Sequence, residues 1–261
     1  MYPRYSSQVG VYDLSLSVQP RFQGSSDFVD LDGNNLIKLW FREPTDRLSI
    51  QVTSKVETNC DNPFNYLLEP WATEFPFDYP SSQLQQLKPY LQPYSFVPDS
   101  IALELAQDIA METSNNTLDF LFALNQRIYR DCQYITRETG KPYPAGITWR
   151  SKKGSCRDYT VLFMEVCRAV GIAARFVSGY QEGDAEQQNR DLHAWVEVYL
   201  PGGGWRGYDP TLGLVVCDRH IPLAASPIPD LAAAVEGSVI PVKHGAKVSS
   251  TMNAQISLVR L

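Results

Sequence analysis

Long apolar runs, basic stripes, paired cysteines and internal repeats are all missing from this 261-residue sequence, and each absence removes a class of function. The most apolar helical stretch, Val161 to Val170, is interrupted by Glu165 and Arg168, so no segment reads as a membrane span. The opening residues, Met1-Tyr2-Pro3-Arg4-Tyr5-Ser6-Ser7-Gln8, lack the apolar h-region of a secretory signal. The 23 lysines and arginines are outnumbered by 29 acids and gather into no stripe of the kind a phosphate backbone needs. Nucleic acid and membrane are therefore set aside as partners. The five cysteines, Cys60, Cys132, Cys156, Cys167 and Cys217, are odd in number, scattered and without a Cys-x-x-Cys pair. That pattern argues against a disulfide framework and a zinc site, and makes a reducing cytoplasm the expected compartment. Cys60, Cys132, Cys167 and Cys217 read as buried apolar residues.

What is present is an ordinary globular composition, 44% hydrophobic, on a chain long enough for two small domains or one large one. The first sixty residues read as strands. Val11 to Val18 largely alternates apolar and polar, Leu36 to Phe41 and Leu48 to Val52 follow, and Asp32-Gly33-Asn34 and Glu43-Pro44-Thr45-Asp46 supply turns between them. An antiparallel sheet or small sandwich is expected. From Asn62 to Asp99 prolines and aromatics occur with no sustained period, as a connector would. Helices then begin: Asp99 or Ser100 can cap one over Ile101 to Ala110, and Thr117 to Tyr129 carries Leu118, Phe120, Leu121, Leu124 and Ile128 mainly on one stripe. These patterns divide the chain into a β-rich region with its connector at 1–92 and a mixed domain at 93–261.

The segment richest in chemistry runs from Gly154 to Thr211. Ser155 followed by Asp158 has capping-box spacing, which starts a helix at Cys156; Tyr159, Leu162, Phe163, Val166, Cys167 and Val170 form its buried stripe, and Gly171 ends it. A cysteine in the first turn sits among unpaired backbone N–H groups at the positive end of the helix dipole, which favours thiolate over thiol. Those amides also offer part of an oxyanion hole. Ala174 to Tyr180 and Leu192 to Leu200 then read as strands, with a polar loop from Gln181 to Arg190 between them. On the second strand His193, Trp195, Glu197 and Tyr199 share one face; Leu192, Ala194, Val196, Val198 and Leu200 form the other, the core face. Pro201-Gly202-Gly203-Gly204 turns the chain back through Trp205 to Thr211, bringing Asp209 opposite a residue slightly inside His193, so that a diagonal contact or a bulge joins the two.

A cysteine at a helix start with a histidine and an aspartate on neighbouring strands points to nucleophilic acyl transfer. Cys156 is the expected nucleophile, His193 the base and Asp209 the group that orients the imidazole. The product of attack on an amide is a thioester, resolved by water or by a second amine, and the chemistry calls for no cofactor or metal. Trp149 and Gln126 are candidates for the second oxyanion donor, each with an alternative structural role. Trp195 and Tyr180 are candidates for the wall of a groove that takes a peptide or protein substrate. His220 and His244 have no ligand spacing to the cysteines and read as surface or structural histidines.

The stretches Gly154-Ser155-Cys156-Arg157-Asp158, Arg168 to Tyr180, His193-Ala194-Trp195-Val196-Glu197-Val198-Tyr199 and Trp205 to Thr211 together resemble the core of the bacterial transglutaminase-like superfamily. Asn62 to Leu68 and Phe75 to Tyr79 are similar to the end of the β-rich region that precedes this core in two-domain members. The resemblance implies an α+β protein: an amino-terminal antiparallel β domain followed by a papain-like core, with the cysteine helix packed on an antiparallel sheet. It also implies a thiol enzyme, since members include peptidases, amidases, deamidases and cross-linking enzymes; a non-catalytic peptide-binding module is the alternative. Two departures stand out. The amino-terminal region's usual first strand is shortened or absent. Ala225-Ser226-Pro227-Ile228-Pro229-Asp230 also replaces a Gly-Arg-Asp-Tyr stretch, a change expected to bear on the substrate groove rather than on the triad.

Overall fold

In the computed structural model, which describes residues 2–4, 9–95, 97–137, 139–183, 192–239 and 249–260, the alternating segments near the amino terminus form two separate ribbons. Strand β1 (Val9–Gln19) pairs antiparallel with β4 (Ser49–Thr58), setting Val11 opposite Val56 and Val18 opposite Ile50. Strand β2 (Gly24–Val29) pairs with β3 (Asn35–Trp40). Between them Gly33 takes φ +77°, a conformation open to glycine at little cost, and the Asp30 carboxylate accepts the Asp32 and Asn34 amides at 3.0 and 2.8 Å. The antiparallel β region expected from the sequence takes the form of these two ribbons rather than one continuous sheet. The physical reason is that β2, Gly-Ser-Ser-Asp-Phe-Val, is almost wholly exposed and offers no apolar face to pack.

The connector contains a helix that periodicity does not announce, α1 (Ser81–Leu91), with Pro89 inside it and Leu87 as its buried anchor. Before it the chain lies across the core: Phe75 meets the Phe120 ring edge-on at 4.7 Å, and the Tyr79 hydroxyl accepts the Ala173 amide. Helix α2 (Ser100–Glu112) is capped by Asp99, which accepts from the Ile101 and Ala102 amides, and α3 (Thr117–Asp131) by Asn116, which accepts from Asp119. The α3 stripe is buried as its spacing predicts, at Phe120, Leu121, Leu124 and Ile128, while Leu118 sits at its exposed margin. Strands β5 (Gln133–Tyr134) and β6 (Lys153–Gly154) make a short parallel pair on either side of α4 (Ala145–Ser151).

Helix α5 (Cys156–Ala169) lies at the centre. One side packs on a five-stranded antiparallel sheet of β7 (Ala174–Gln181), β8 (His193–Leu200), β9 (Gly204–Asp209), β10 (Leu214–Val215) and β11 (His220–Ser226), in the order β10-β9-β8-β7-β11. The other side meets α2, α3 and α4. Covered on both flanks, α5 is buried well beyond its predicted stripe, and Gly171 closes it at φ +80°. A buried residue of the size of Phe163 or Leu162 contributes roughly 2 kcal/mol here. Ala194, Val196, Val198 and Leu200 form the core face of β8, as alternation predicts.

Three contacts join the amino-terminal region to β11 or to the residues just before it. The Arg4 amide donates to the Pro222 carbonyl at 2.7 Å, and the Asn34 side chain exchanges two hydrogen bonds with the Ala225 backbone, at 2.8 and 2.9 Å. The third is a Cys60–Cys217 disulfide with Cα atoms 5.3 Å apart. This corrects the sequence expectation for those two cysteines, because a partner 157 positions away leaves no local signature. It also removes the argument for a reducing compartment that rested on unpaired cysteines. In the departure from Ala225 to Asp230, Ala225, Ser226 and Pro227 are buried and the Pro227 carbonyl is bound by Arg168 near the end of α5, while Ile228 and Asp230 are exposed.

Candidate active site

The position of Cys156 is set by its neighbours on α5. The Asp158 carboxylate accepts the Ser155 amide at 2.7 Å and the Ser155 hydroxyl at 2.8 Å, and on its other oxygen the Tyr143 amide at 2.7 Å and the Arg137 guanidinium at 2.5 Å. Burial opposes charge on Asp158, but these donors hold its carboxyl below the usual range. One buried carboxylate thus fixes the helix start and two incoming loop residues. Gly154 is required just before it, since a Cβ there would lie 2.9 Å from Asp158 Cβ. Cys156 is 7% exposed, and its N–H, first in the helix, has no intrahelical acceptor.

His193 opens β8 opposite Gly179 of β7, and Asp209 closes β9. Val196 pairs with Tyr208, so Asp209 falls beside Trp195 and reaches His193 diagonally. The contact is direct: His193 Nε2 lies 2.7 Å from Asp209 Oδ2. With Nε2 committed to the carboxylate, Nδ1 is the nitrogen left to face the Cys156 thiol, which is near enough to act on the ring electrostatically. Burial disfavours the imidazolium, yet Asp209 and Cys156 together raise His193 from 6.5 to about 10. Asp209 is fully buried, and burial again opposes its charge; the two histidines beside it override that and hold its carboxyl well below the ordinary range. Its other oxygen accepts the Thr211 and Leu212 amides at 3.0 and 3.3 Å. The arrangement therefore sets an imidazole, backed by a buried carboxylate, beside the Cys156 thiol.

The other expected site residues fare differently. Tyr180 is half-buried, next to Gly179 and opposite Ile221 of β11. Trp195 does not line a groove: it is fully buried with Val177 and Ala225 on the far face of the sheet, under Val216. Alternation placed it correctly on the histidine's face, but that face is covered at this point. The Gln126 amide donates to the Gly213 carbonyl at 2.6 Å, where it secures the turn after Asp209 and not Cys156. The Trp149 ring packs at the edge of the core cluster that contains Cys156, with the Lys152 ammonium over it. Of the remaining free cysteines, burial, opposed by Lys152, pushes the Cys132 thiol up to about 11, and burial raises Cys167 far above its usual value.

His220 is the residue the sequence did not single out. It is 3% exposed, neither on the surface nor distant from the site, and its Nε2 lies 3.0 Å from the same Asp209 Oδ2 that His193 engages. Its partner is met only because β11 pairs with β7 on the far side of the sheet, which no spacing reveals. His193, Asp209 and His220 present donor atoms within 4.8 Å of one another, a geometry open to a metal ion, but both imidazoles spend their Nε2 on the carboxylate. His244 and the loop positions 184–190 lie outside the described residues.

Comparison with known proteins gives this geometry a family. A model of the transglutaminase-like superfamily core matches residues 103–210, which contain Cys156, His193 and Asp209, and a model of the bacterial transglutaminase-like N-terminal region matches residues 1–57. Over these two segments the chain is similar to the transglutaminase-like superfamily. An uncharacterised protein of Mycobacterium tuberculosis is 28% identical over 219 residues, covering 73% of this chain. This chain spans 65% of that relative's length. The protein-glutamine gamma-glutamyltransferase of Pseudomonas aeruginosa is 40% identical over 68 residues, 23% of this chain and 10% of that enzyme. Among solved structures, a candidate cysteine protease from Cytophaga hutchinsonii superposes with a TM-score of 0.68 at 25% identity, covering 90% of this chain and 76% of the other. The α+β architecture of a transglutaminase-like protein is thus common to both chains, and His220 lies ten residues beyond the matched core.

Proposed function

We propose that this transglutaminase-like protein is a thiol acyl-transfer enzyme that hydrolyses peptide or isopeptide amides through a thioester on Cys156. The observation that carries the reading is the His193 ring held between Asp209 and the Cys156 thiol. His193 takes the thiol proton, or keeps it as an ion pair, while Asp209 holds the imidazole by Nε2 and stabilises its charged form. The thiolate attacks the amide carbonyl, the Cys156 N–H stabilises the oxyanion, and His193 returns the proton to the departing amine. Water resolves the thioester. Transamidation differs only in that an amine takes the place of water; the short likeness to the Pseudomonas enzyme favours keeping it as a second reading.

Wild type and Cys156→Ala would be compared across peptide, isopeptide and glutamine-amide substrates, with and without an added amine. Hydrolysis that requires Cys156 supports the proposal, and amine incorporation that outruns hydrolysis selects the second reading. Alkylation by iodoacetamide tests the thiol itself. Cys156 should react well ahead of Cys132 and Cys167 and slow in His193→Ala; equal rates at the three cysteines would overturn the reading.

A further inference from the structure

The Asp209 carboxylate is shared by two imidazoles. Its Oδ1 is held by the amides of Thr211 and Leu212, its Oδ2 by His193 Nε2 at 2.7 Å and by His220 Nε2 at 3.0 Å. An ionised carboxylate only accepts, so each imidazole nitrogen facing it must carry a proton. His220 is nearly as buried as Asp209, and its Nδ1 has no hydrogen-bond partner among the described residues. Among the described residues, the one protein group it engages through a ring nitrogen is therefore Asp209. Its ring is held in place by the edge of Trp195, with centroids 5.1 Å apart, and its backbone by pairing with Gln181 of β7.

We infer that His220 is a positioning residue of the acyl-transfer site, which fixes the Asp209 carboxylate in the orientation that holds His193 toward Cys156. Two amides on Oδ1 fix one end of the carboxylate but leave it free to rotate about its side-chain bonds. A second buried donor on Oδ2, beside His193, removes that freedom and satisfies a lone pair that would otherwise be buried unpaired. The inference rests on the acyl-transfer reading of Cys156, and it extends the site beyond the segment the family model matches, to a strand on the far side of β7.

The test compares His220→Gln with His220→Met. The two side chains have equal length, but only the glutamine amide can donate near the position of Nε2. Iodoacetamide alkylation of Cys156 is followed by mass spectrometry across pH, with thermal unfolding confirming that both variants fold. His220→Met is expected to slow alkylation at neutral pH by roughly tenfold, the loss of one hydrogen bond to a charged group. It should also move the acid-side loss of reactivity to higher pH, since the two groups facing Asp209, His193 and His220, hold its carboxyl low and one of them is gone. His220→Gln should restore most of both. A His220→Met profile matching wild type, or equal defects in the two variants, would overturn the role of His220. His193→Ala is the reference: if it leaves alkylation unchanged, the acyl-transfer reading itself fails, whatever His220 does.

Discussion

Asp209→Asn is the sharpest perturbation of the site, because it removes one charge and almost no volume. The Thr211 and Leu212 amides still need an acceptor, so the new carbonyl oxygen stays at Oδ1 and the amide nitrogen takes the place of Oδ2. There it confronts two imidazole N–H groups with a third donor. His193 is forced to present a bare Nε2 and to carry its proton on Nδ1, toward Cys156, which makes it useless as a base. The lift of His193 from 6.5 to about 10 corresponds to ~5 kcal/mol in favour of the imidazolium, shared between Asp209 and Cys156. Asp209 is the first of the groups that raise His193, so its removal should cost about 2 kcal/mol, a fall of roughly thirtyfold in the rate of Cys156 alkylation near pH 6. Stability carries the same signature with a definite sign. A histidine whose folded value lies above its unfolded one stabilises fully below about pH 6.5, and that contribution is lost as pH rises through 10. Urea unfolding of wild type should show stability falling across that window, and Asp209→Asn should flatten the slope. A folded Asp209→Asn protein that alkylates within threefold of wild type at pH 6, with the wild-type slope intact, would refute the ion-pair account.

Other perturbations test the frame around the site. Thiol titration in denaturant without reductant should count three thiols per chain, Cys132, Cys156 and Cys167, and five after reduction; five at the outset would remove the Cys60–Cys217 link. Asp158→Ala strips acceptors from Ser155, Tyr143 and Arg137 at once and should cost about 3 kcal/mol in chemical denaturation, because Arg137 retains some access to water; a loss under 1 kcal/mol would contradict the packing described. Gly179→Ala would put a methyl 2.3 Å from the Ile221 carbonyl oxygen and 2.4 Å from the Trp195 ring, and should lower stability by roughly 1–3 kcal/mol in the same assay.

The cysteine helix was legible because three independent signals coincide on it: the Ser155/Asp158 cap, the apolar stripe and Gly171 beyond its end. His193 and Asp209 were legible for a different reason. Three residues, Pro201 to Gly203, join their strands, so mirroring about the turn predicts the partner within a residue, and the diagonal offset is what the register shows. Trp195 marks the limit of alternation, which assigns a face but says nothing about what covers it. Cys217 and His220 were illegible because their partners, Cys60 and Asp209, are set by the placement of β11 beside β7, a long-range pairing without sequence period. Helix α1 escaped for a local reason, its Gln-rich polar surface and Pro89 masking a single buried leucine.

The amino-terminal ribbons gain a physical role from where they attach. All three of their links to the core described above, Arg4 to Pro222, Asn34 to Ala225 and Cys60 to Cys217, fall on β11 or within three residues of it. That strand is the sheet's edge and is paired on one side only, so on its own it would be the element most ready to fray. Its first residue is His220, and fraying there would release Asp209 Oδ2. A cross-link closing 157 residues stabilises by up to ~5 kcal/mol on chain-entropy grounds, and here its anchor lies next to the strand whose end faces the buried carboxylate. Reducing that link should therefore act on Cys156 reactivity through β11 before it unfolds the protein. Alkylation of Cys156 with and without prior reduction, below the unfolding transition, would expose the coupling, and identical rates would show that β11 holds without it.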